Sequence, residues 1–254
     1  MEKNYDKLLE NLVKLKTEFN ATGLKLELET EIISTSELDL AKTLADNADI
    51  DLTIKTCGCS AVSDIFLAKA MGIKNLLAPM IESDYALDKF YSNVSEIYGS
   101  TKDVKLFFNL ETITGFKNID EILNFKYIEK LDGLVFGRND FCSSLKHDAG
   151  FADSAEIFKY AQNVLGKTEN KDIKFILGGN ITSKSVDFMK KLKGENFTNF
   201  ETRKIIFDKK ILENDINTAL NLALEFEILW LNSKSFSNSL DEKRKQIIEK
   251  RLHL

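Results

Sequence analysis

The sequence predicts an α/β fold, a (β/α)8 barrel or a modified form of it, with a C-terminal helical extension. Three observations predict it. Short runs of Val, Ile, Leu and Phe recur along the 254 residues, each is followed by a stretch of helical periodicity, and no linker or low-complexity tract interrupts the alternation. That order of elements is the pattern of a parallel sheet wrapped by helices. The length matches a single barrel domain of about 250 residues.

Taken in order, an amphipathic segment, 5–18, precedes the first strand as a helix expected to close the barrel floor. Candidate strands follow at Leu24 to Glu29, Leu52 to Thr56, Asn75 to Pro79, Val104 to Leu110, Gly133 to Phe136 and Lys174 to Leu177. A last one lies between Phe197 and Phe207, and that stretch has room for two. Helices are expected at 36–48, 61–71, 84–97, 119–129, 154–166 and 183–193. Ser36, Ser83 and Asp153 are their candidate caps, Asp153 forming a capping-box pattern with Glu156. The segment from Phe141 to Ala152 lacks periodicity and reads as a loop trimming the site. A helical tail runs from Asp215 to the C-terminus with a pause at 232–235, and Ser239 with Glu242 makes a second capping box. Phe226 and Trp230 on that tail, read as exposed, point to contacts between subunits and so to a homo-oligomer.

Apolar residues are 43% and charged residues 30% of the chain, ordinary values for a globular protein. The net charge of −5 and the scattered Lys and Arg residues exclude a nucleic-acid binder, which needs a basic stripe. No apolar run reaches the roughly 20 residues that span a bilayer, and the charged N-terminus does not resemble a signal peptide, so a cytoplasmic location is expected. Three cysteines are too few for a disulfide framework. Cys57-Gly58-Cys59 reads as small buried thiols rather than half a zinc site, because His147 and His253 are the only histidines available to complete one.

In a barrel of this class the active site lies at the C-terminal ends of the strands. Polar residues that end apolar runs are therefore the candidates. Leu106-Phe107-Phe108-Asn109-Leu110 runs into Glu111, and Gly133-Leu134-Val135-Phe136 runs into Gly137-Arg138-Asn139-Asp140. Two carboxylates thus reach one rim from consecutive strands. Paired carboxylates with few other protein ligands are how Mg²⁺ or Mn²⁺ is commonly held, the remaining positions going to water or substrate oxygens. On spacing alone, helix capping or pairing with Arg138 explains them equally well.

Three blocks decide between these readings: NLLAPMIE at 75–82, FNLETITGFKNIDEI at 108–122 and LDGLVFGRNDFCSSL at 131–145. In this order and spacing they resemble the HpcH/HpaI aldolase and citrate lyase family, over roughly residues 24–207 with the tail outside. The resemblance implies that Glu111 and Asp140 hold a divalent metal, that a small 2-oxo acid chelates it, and that an enolate is stabilised during carbon–carbon bond cleavage or formation.

The chain departs from that family in two places. Where the family carries an arginine that steadies substrate oxygens, this chain has Lys55, able to serve as a point charge, a Schiff-base lysine or a rim residue. Where several members place a histidine, it reads Leu28-Glu29-Thr30-Glu31, leaving Glu29, Glu31 or a metal-bound water as candidate base, or an exposed strand end. Glu82, Gly137, Arg138 and Asn139 are candidate substrate contacts, and Arg203 repeats the strand-end pattern at the last strand. A related metal-dependent hydrolase, or a barrel that has lost catalysis and serves as a ligand sensor or assembly subunit, are the competing functions.

Overall fold

The computed structural model describes residues 2–252, so His253 lies outside the described residues. Eight strands close a barrel in sequence order: β1 (Ala21–Glu27), β2 (Asp51–Lys55), β3 (Asn75–Ala78), β4 (Lys105–Leu110), β5 (Gly133–Gly137), β6 (Lys174–Gly178), β7 (Phe197–Glu201) and β8 (Ile205–Asp208). Seven of them are parallel. β8 runs antiparallel to both β7 and β1. The reason is local, since only residues 202–204 separate β7 from β8, and a parallel crossover needs about a dozen. Thr202 closes this tight turn, its N–H donating to the Ile205 carbonyl and its Oγ1 accepting from the Ile205 N–H at 3.0 Å. The stretch 197–207 thus does hold two strands, and the barrel is a modified one.

Helices surround the barrel. They are α1 (Glu2–Phe19), α2 (Thr35–Ala48), α3 (Val62–Ala70), α4 (Asp84–Tyr98), α5 (Ile113–Lys117), α6 (Ile119–Ile122), α7 (Arg138–Ser144), α8 (Ala155–Glu169) and α9 (Val186–Lys191), followed by α10 (Ile216–Ser233) and α11 (Ser239–Leu252). Among the described residues no helix is long and apolar enough to cross a membrane.

Alternation along the strands sorts the side chains into two layers. Leu24, Leu26, Ile54, Leu76, Leu106, Phe108, Phe136, Phe175, Leu177, Phe200 and Phe207 belong to one continuous core between sheet and helices. Leu77, Val135 and Ile176 form a small separate cluster inside the barrel, with Phe107 against it. The rest of the interior is largely polar. Lys25, Thr53, Lys55, Asn109 and Glu201 are all buried there, at the strand positions that alternate with the core layer.

Several local expectations are corrected. α1 does not close the barrel floor. It joins the outer layer between α2 and α10, with Lys16 bonded to the Asp49 carbonyl at the end of α2 and Asn11 Nδ2 donating to the Leu222 carbonyl of α10. The helix expected at 119–129 is broken into α6 and a 3-10 turn at Ile128–Lys130, because Asn118 already ends α5 and the amides of Leu123 to Phe125 close separate turns. The stretch 141–152 is not a plain loop, since α7 and a 3-10 turn at Ala149–Asp153 occupy most of it.

Caps shift by one or two residues. Ser34, not Ser36, caps α2 through a capping box with Glu37, and Ser154, not Asp153, caps α8. Asn238, rather than Ser239, caps α11, its Oδ1 accepting from Leu240 and Asp241. Ser83 caps α4 as expected. In the tail, Phe226 and Trp230 are buried against the chain's own barrel, which removes the exposed surface that argued for subunit contacts.

Candidate active site at the barrel mouth

Glu111 follows directly on β4, and its carboxylate is 2% exposed. Three neighbours fix it. Asn109 Nδ2 donates to Oε2 at 2.6 Å, the Met80 N–H donates to Oε1 at 3.0 Å, and Lys55 Nζ stands 3.5 Å from Oε1. Met80 reaches it through a left-handed backbone, φ 51°, unusual for a residue with a side chain and typical of strain kept at functional sites. Gly137, at the end of β5, completes the seat: a Cβ there would stand 2.7 Å from Glu111 Oε2, so any side chain displaces the carboxylate. The Oδ1 of Asn109 is buried without a partner, leaving an acceptor in the barrel beneath Glu111.

Asp140 lies in the first turn of α7, one residue beyond the exposed Asn139. Its carboxylate takes no hydrogen bond or ion pair among the described residues. Burial raises its pKa, repulsion from Glu111 adds to the rise, and Lys55 opposes both. Two carboxylates that repel one another, one fixed and one free, are a donor set that a hard divalent cation would relieve. Among the described residues no three acidic, His or Cys groups converge, so water or substrate oxygens would fill most of such an ion's positions.

Lys55 ends β2 and bridges Glu29 and Glu111 across the mouth. Burial opposes its charge, but Glu111, Glu27 and Glu29 outweigh that and hold its pKa above the ordinary lysine value. It is therefore an ammonium ion at neutral pH, unsuited to attack a carbonyl as a free amine. Burial pushes the Glu29 carboxyl the other way, above the usual carboxylate range, against the pull of Lys55.

A second charged group lies beside the first. Lys25 Nζ is 2.9 Å from Glu27 Oε1 and 2.5 Å from Glu201 Oε1. Burial works against the Lys25 charge, yet Glu201 and Glu27 hold its pKa well above normal. Glu27 lies far below the usual range despite its burial, because Lys25, Lys55 and Arg203 surround it. The sequence reading missed Lys25, Glu27, Asn109 and Glu201. The signal was present in Leu24-Lys25-Leu26-Glu27-Leu28-Glu29, because a strand covered on both faces has no reason to alternate charges unless they line the barrel.

Other expected site residues stand elsewhere. Arg138 is fully buried and does not reach Glu111 or the mouth. Its guanidinium donates to Asp153 Oδ1 at 2.5 Å and to the carbonyls of Gly178, Gly179 and Ala152, with Phe188 beneath it at 4.8 Å. Gly179, φ 79°, permits this approach, since a Cβ there would meet the Asn139 nitrogen at 2.4 Å. Glu31 does not join Lys55 either, being held by Lys204 at 2.6 Å. Glu82 accepts from Thr112 Oγ1 at 2.5 Å and ties the β3 loop to the turn after Glu111. His147 stacks on Phe151 in the exposed turn after α7. A wider cleft lined by Lys16, Asp46, Asp49 and Asp51 lies at the opposite end of the barrel and holds none of these groups.

Residues 59–181 match the model of the HpcH/HpaI aldolase/citrate lyase family, which bears out the resemblance carried by the three sequence blocks. No protein of curated function is similar enough in sequence to match. Among solved structures, an HpcH/HpaI aldolase from Desulfitobacterium hafniense DCB-2 superposes with a TM-score of 0.60 at 11% identity, covering 75% of this chain and 80% of that one. An HpcH/HpaI aldolase/citrate lyase family protein from Burkholderia cenocepacia J2315 gives 0.55 at 12% identity, covering 67% and 75%. At such identities the likeness establishes the shared barrel fold.

Proposed function

We propose that this chain, whose central segment is of the HpcH/HpaI aldolase/citrate lyase type, is a divalent-metal-dependent carbon–carbon lyase acting on a small 2-oxo acid. One observation carries the reading. Two carboxylates that follow consecutive strands, Glu111 locked by Met80, Asn109 and the Gly137 backbone and Asp140 without a hydrogen bond or ion pair among the described residues, repel one another beside a buried ammonium group. Glu111 and Asp140 would hold Mg²⁺ or Mn²⁺. When bound, such an ion supplies a Lewis acid for the carboxylate and keto oxygens of a 2-oxo acid.

The chain's own residues supply the rest. Lys55, fixed between Glu29 and Glu111, presents a preorganised positive charge where negative charge develops on the keto oxygen. Glu29, with a carboxyl raised by burial, is suited to hold and pass a proton at its Oε atoms, in the place where several members of the family that the chain resembles carry a histidine. Lys25, Glu27 and Glu201 keep β1 and β7 together and preserve the charge pattern around Lys55.

Calorimetric titration with Mg²⁺ and Mn²⁺ tests the assignment. Glu111→Gln and Asp140→Asn should each weaken binding of one ion per chain by at least about tenfold, roughly 1.4 kcal/mol. Unchanged affinity in both variants would remove the metal from the account and favour a sensor or assembly role.

A further inference from the structure

Glu111 precedes α5 and Asp140 belongs to α7, so whatever fixes α7 against the start of α5 also fixes the span between the two carboxylates. On one side the Gly137 backbone, just before α7, seats the Glu111 carboxylate. On the other side stands Ser144, the last residue of α7. Its Oγ accepts from the Ile113 N–H at 2.9 Å and donates to the Phe141 carbonyl at 2.7 Å. Ile113 opens α5 two residues beyond Glu111, and its amide is one of those that a helix start leaves without an acceptor of its own. Ser144 thus caps a neighbouring helix rather than its own.

The spacing gives this bond its meaning. Residues four apart share one face of a helix, so the Asp140 carboxylate and the Ser144 hydroxyl leave α7 on the same side. That side faces α5, as the bond to Ile113 shows, and Phe116 of α5 packs edge-on against Phe141 with ring centres 6.2 Å apart. Segments 111–113 and 140–144 are therefore joined by Ser144, and an ion shared by Glu111 and Asp140 would join them a second time alongside it. The bond to Phe141, three residues back, holds the hydroxyl in one rotamer and leaves it little slack. Among the described residues, no other hydrogen bond links α5 to α7.

We infer that Ser144 is a positioning residue that sets the span between Glu111 and Asp140 and thereby selects the smaller divalent ions. The inference rests on the metal assignment above and adds what discriminates among ions. Mg²⁺ takes oxygens at about 2.0–2.1 Å in near-ideal octahedral geometry, whereas Ca²⁺ accepts about 2.3–2.6 Å and irregular arrangements. A fixed span favours the first, and a loosened α7 adapts to the second. Ser143 has no part in this link, since its exposed hydroxyl turns back to the Asn139 carbonyl of its own helix.

Calorimetric titration of the full chain with Mg²⁺ and with Ca²⁺ tests this through the ratio of the two affinities. Ser144→Ala should lower the Mg²⁺ to Ca²⁺ ratio by about fivefold or more, because loss of a partner behind a metal ligand commonly costs about 10–100-fold in affinity. Ser144→Thr, which keeps the hydroxyl, should hold the ratio near the wild-type value, and Ser143→Ala should leave it unchanged. In the metal-free chain, Ser144→Ala should also speed hydrogen exchange of the Ile113 amide, with thermal melts showing that the variant is folded. An unchanged ratio in Ser144→Ala, or equal weakening of both ions, overturns the inference and leaves the metal assignment standing. So does a Ser143→Ala variant that lowers the ratio as far. A wild-type chain that binds neither ion removes both.

Discussion

Replacing Lys55 by Met is expected to lower turnover of a 2-oxo acid by about 10²-fold or more, whereas Lys55→Arg keeps substantial activity. The side chain bridges Glu29 and Glu111, and its buried ammonium is, among the described residues, the one positive charge held against the candidate metal ligand. Methionine preserves the stem and removes the charge. The comparison is made on initial rates, with thermal melts confirming that each variant is folded. A Schiff-base role makes different demands: both variants would be inactive, and borohydride with a 2-oxo acid would add mass to the wild-type chain. The raised pKa of Lys55 argues for the first pattern, because an amine held protonated by neighbouring carboxylates is a poor nucleophile. Equal rates for wild type and Lys55→Met would place Lys55 outside the reaction.

Arg138→Met is expected to destabilise the fold by about 3–5 kcal/mol, read from urea unfolding. The guanidinium is fully buried and ties the start of α7 to Asp153, to two carbonyls at the end of β6 and to Ser185 Oγ. Removing it leaves Asp153 with an unpaired charge and several carbonyls without donors. Since α7 carries Asp140, weaker metal binding should accompany the loss. A variant with wild-type stability and no activity would return Arg138 to the role of substrate contact.

How far the sequence was legible follows from which side chains carry periodic information. Runs such as Leu106 to Leu110 and Gly133 to Phe136 are apolar because their outward residues enter the core, so strand positions and the rim residues after them could be read directly. Glu111 and Asp140 became the candidate ligands that way, with the three family-like blocks suggesting their role. Arg138 was misread because a charged residue beside a strand end looks the same whether it faces the mouth or plunges into the fold. Only the contact with Asp153, fifteen residues on, separates the two. Asp153 looked like a cap for the same reason, although Ser154 does that work. The antiparallel closure by β8 follows from the shortness of 202–204, a limit on chain reach that a strand count alone does not register. Phe226 and Trp230 were taken as exposed because the partners that bury them, α1 and the outer face of the barrel, are distant in sequence.

The most direct test of the central claim is exchange of pyruvate methyl protons in deuterated water, followed by NMR with and without Mg²⁺ or Mn²⁺. Reversible proton removal beside the keto group is the step that a metal-dependent 2-oxo acid lyase must catalyse, whatever its second substrate. The account predicts exchange by the wild-type chain that needs the ion, is abolished by chelation, and is lost in Glu111→Gln and Asp140→Asn. Exchange that persists under chelation or in both variants, or metal-loaded wild type with no exchange across a panel of 2-oxo acids, would contradict it.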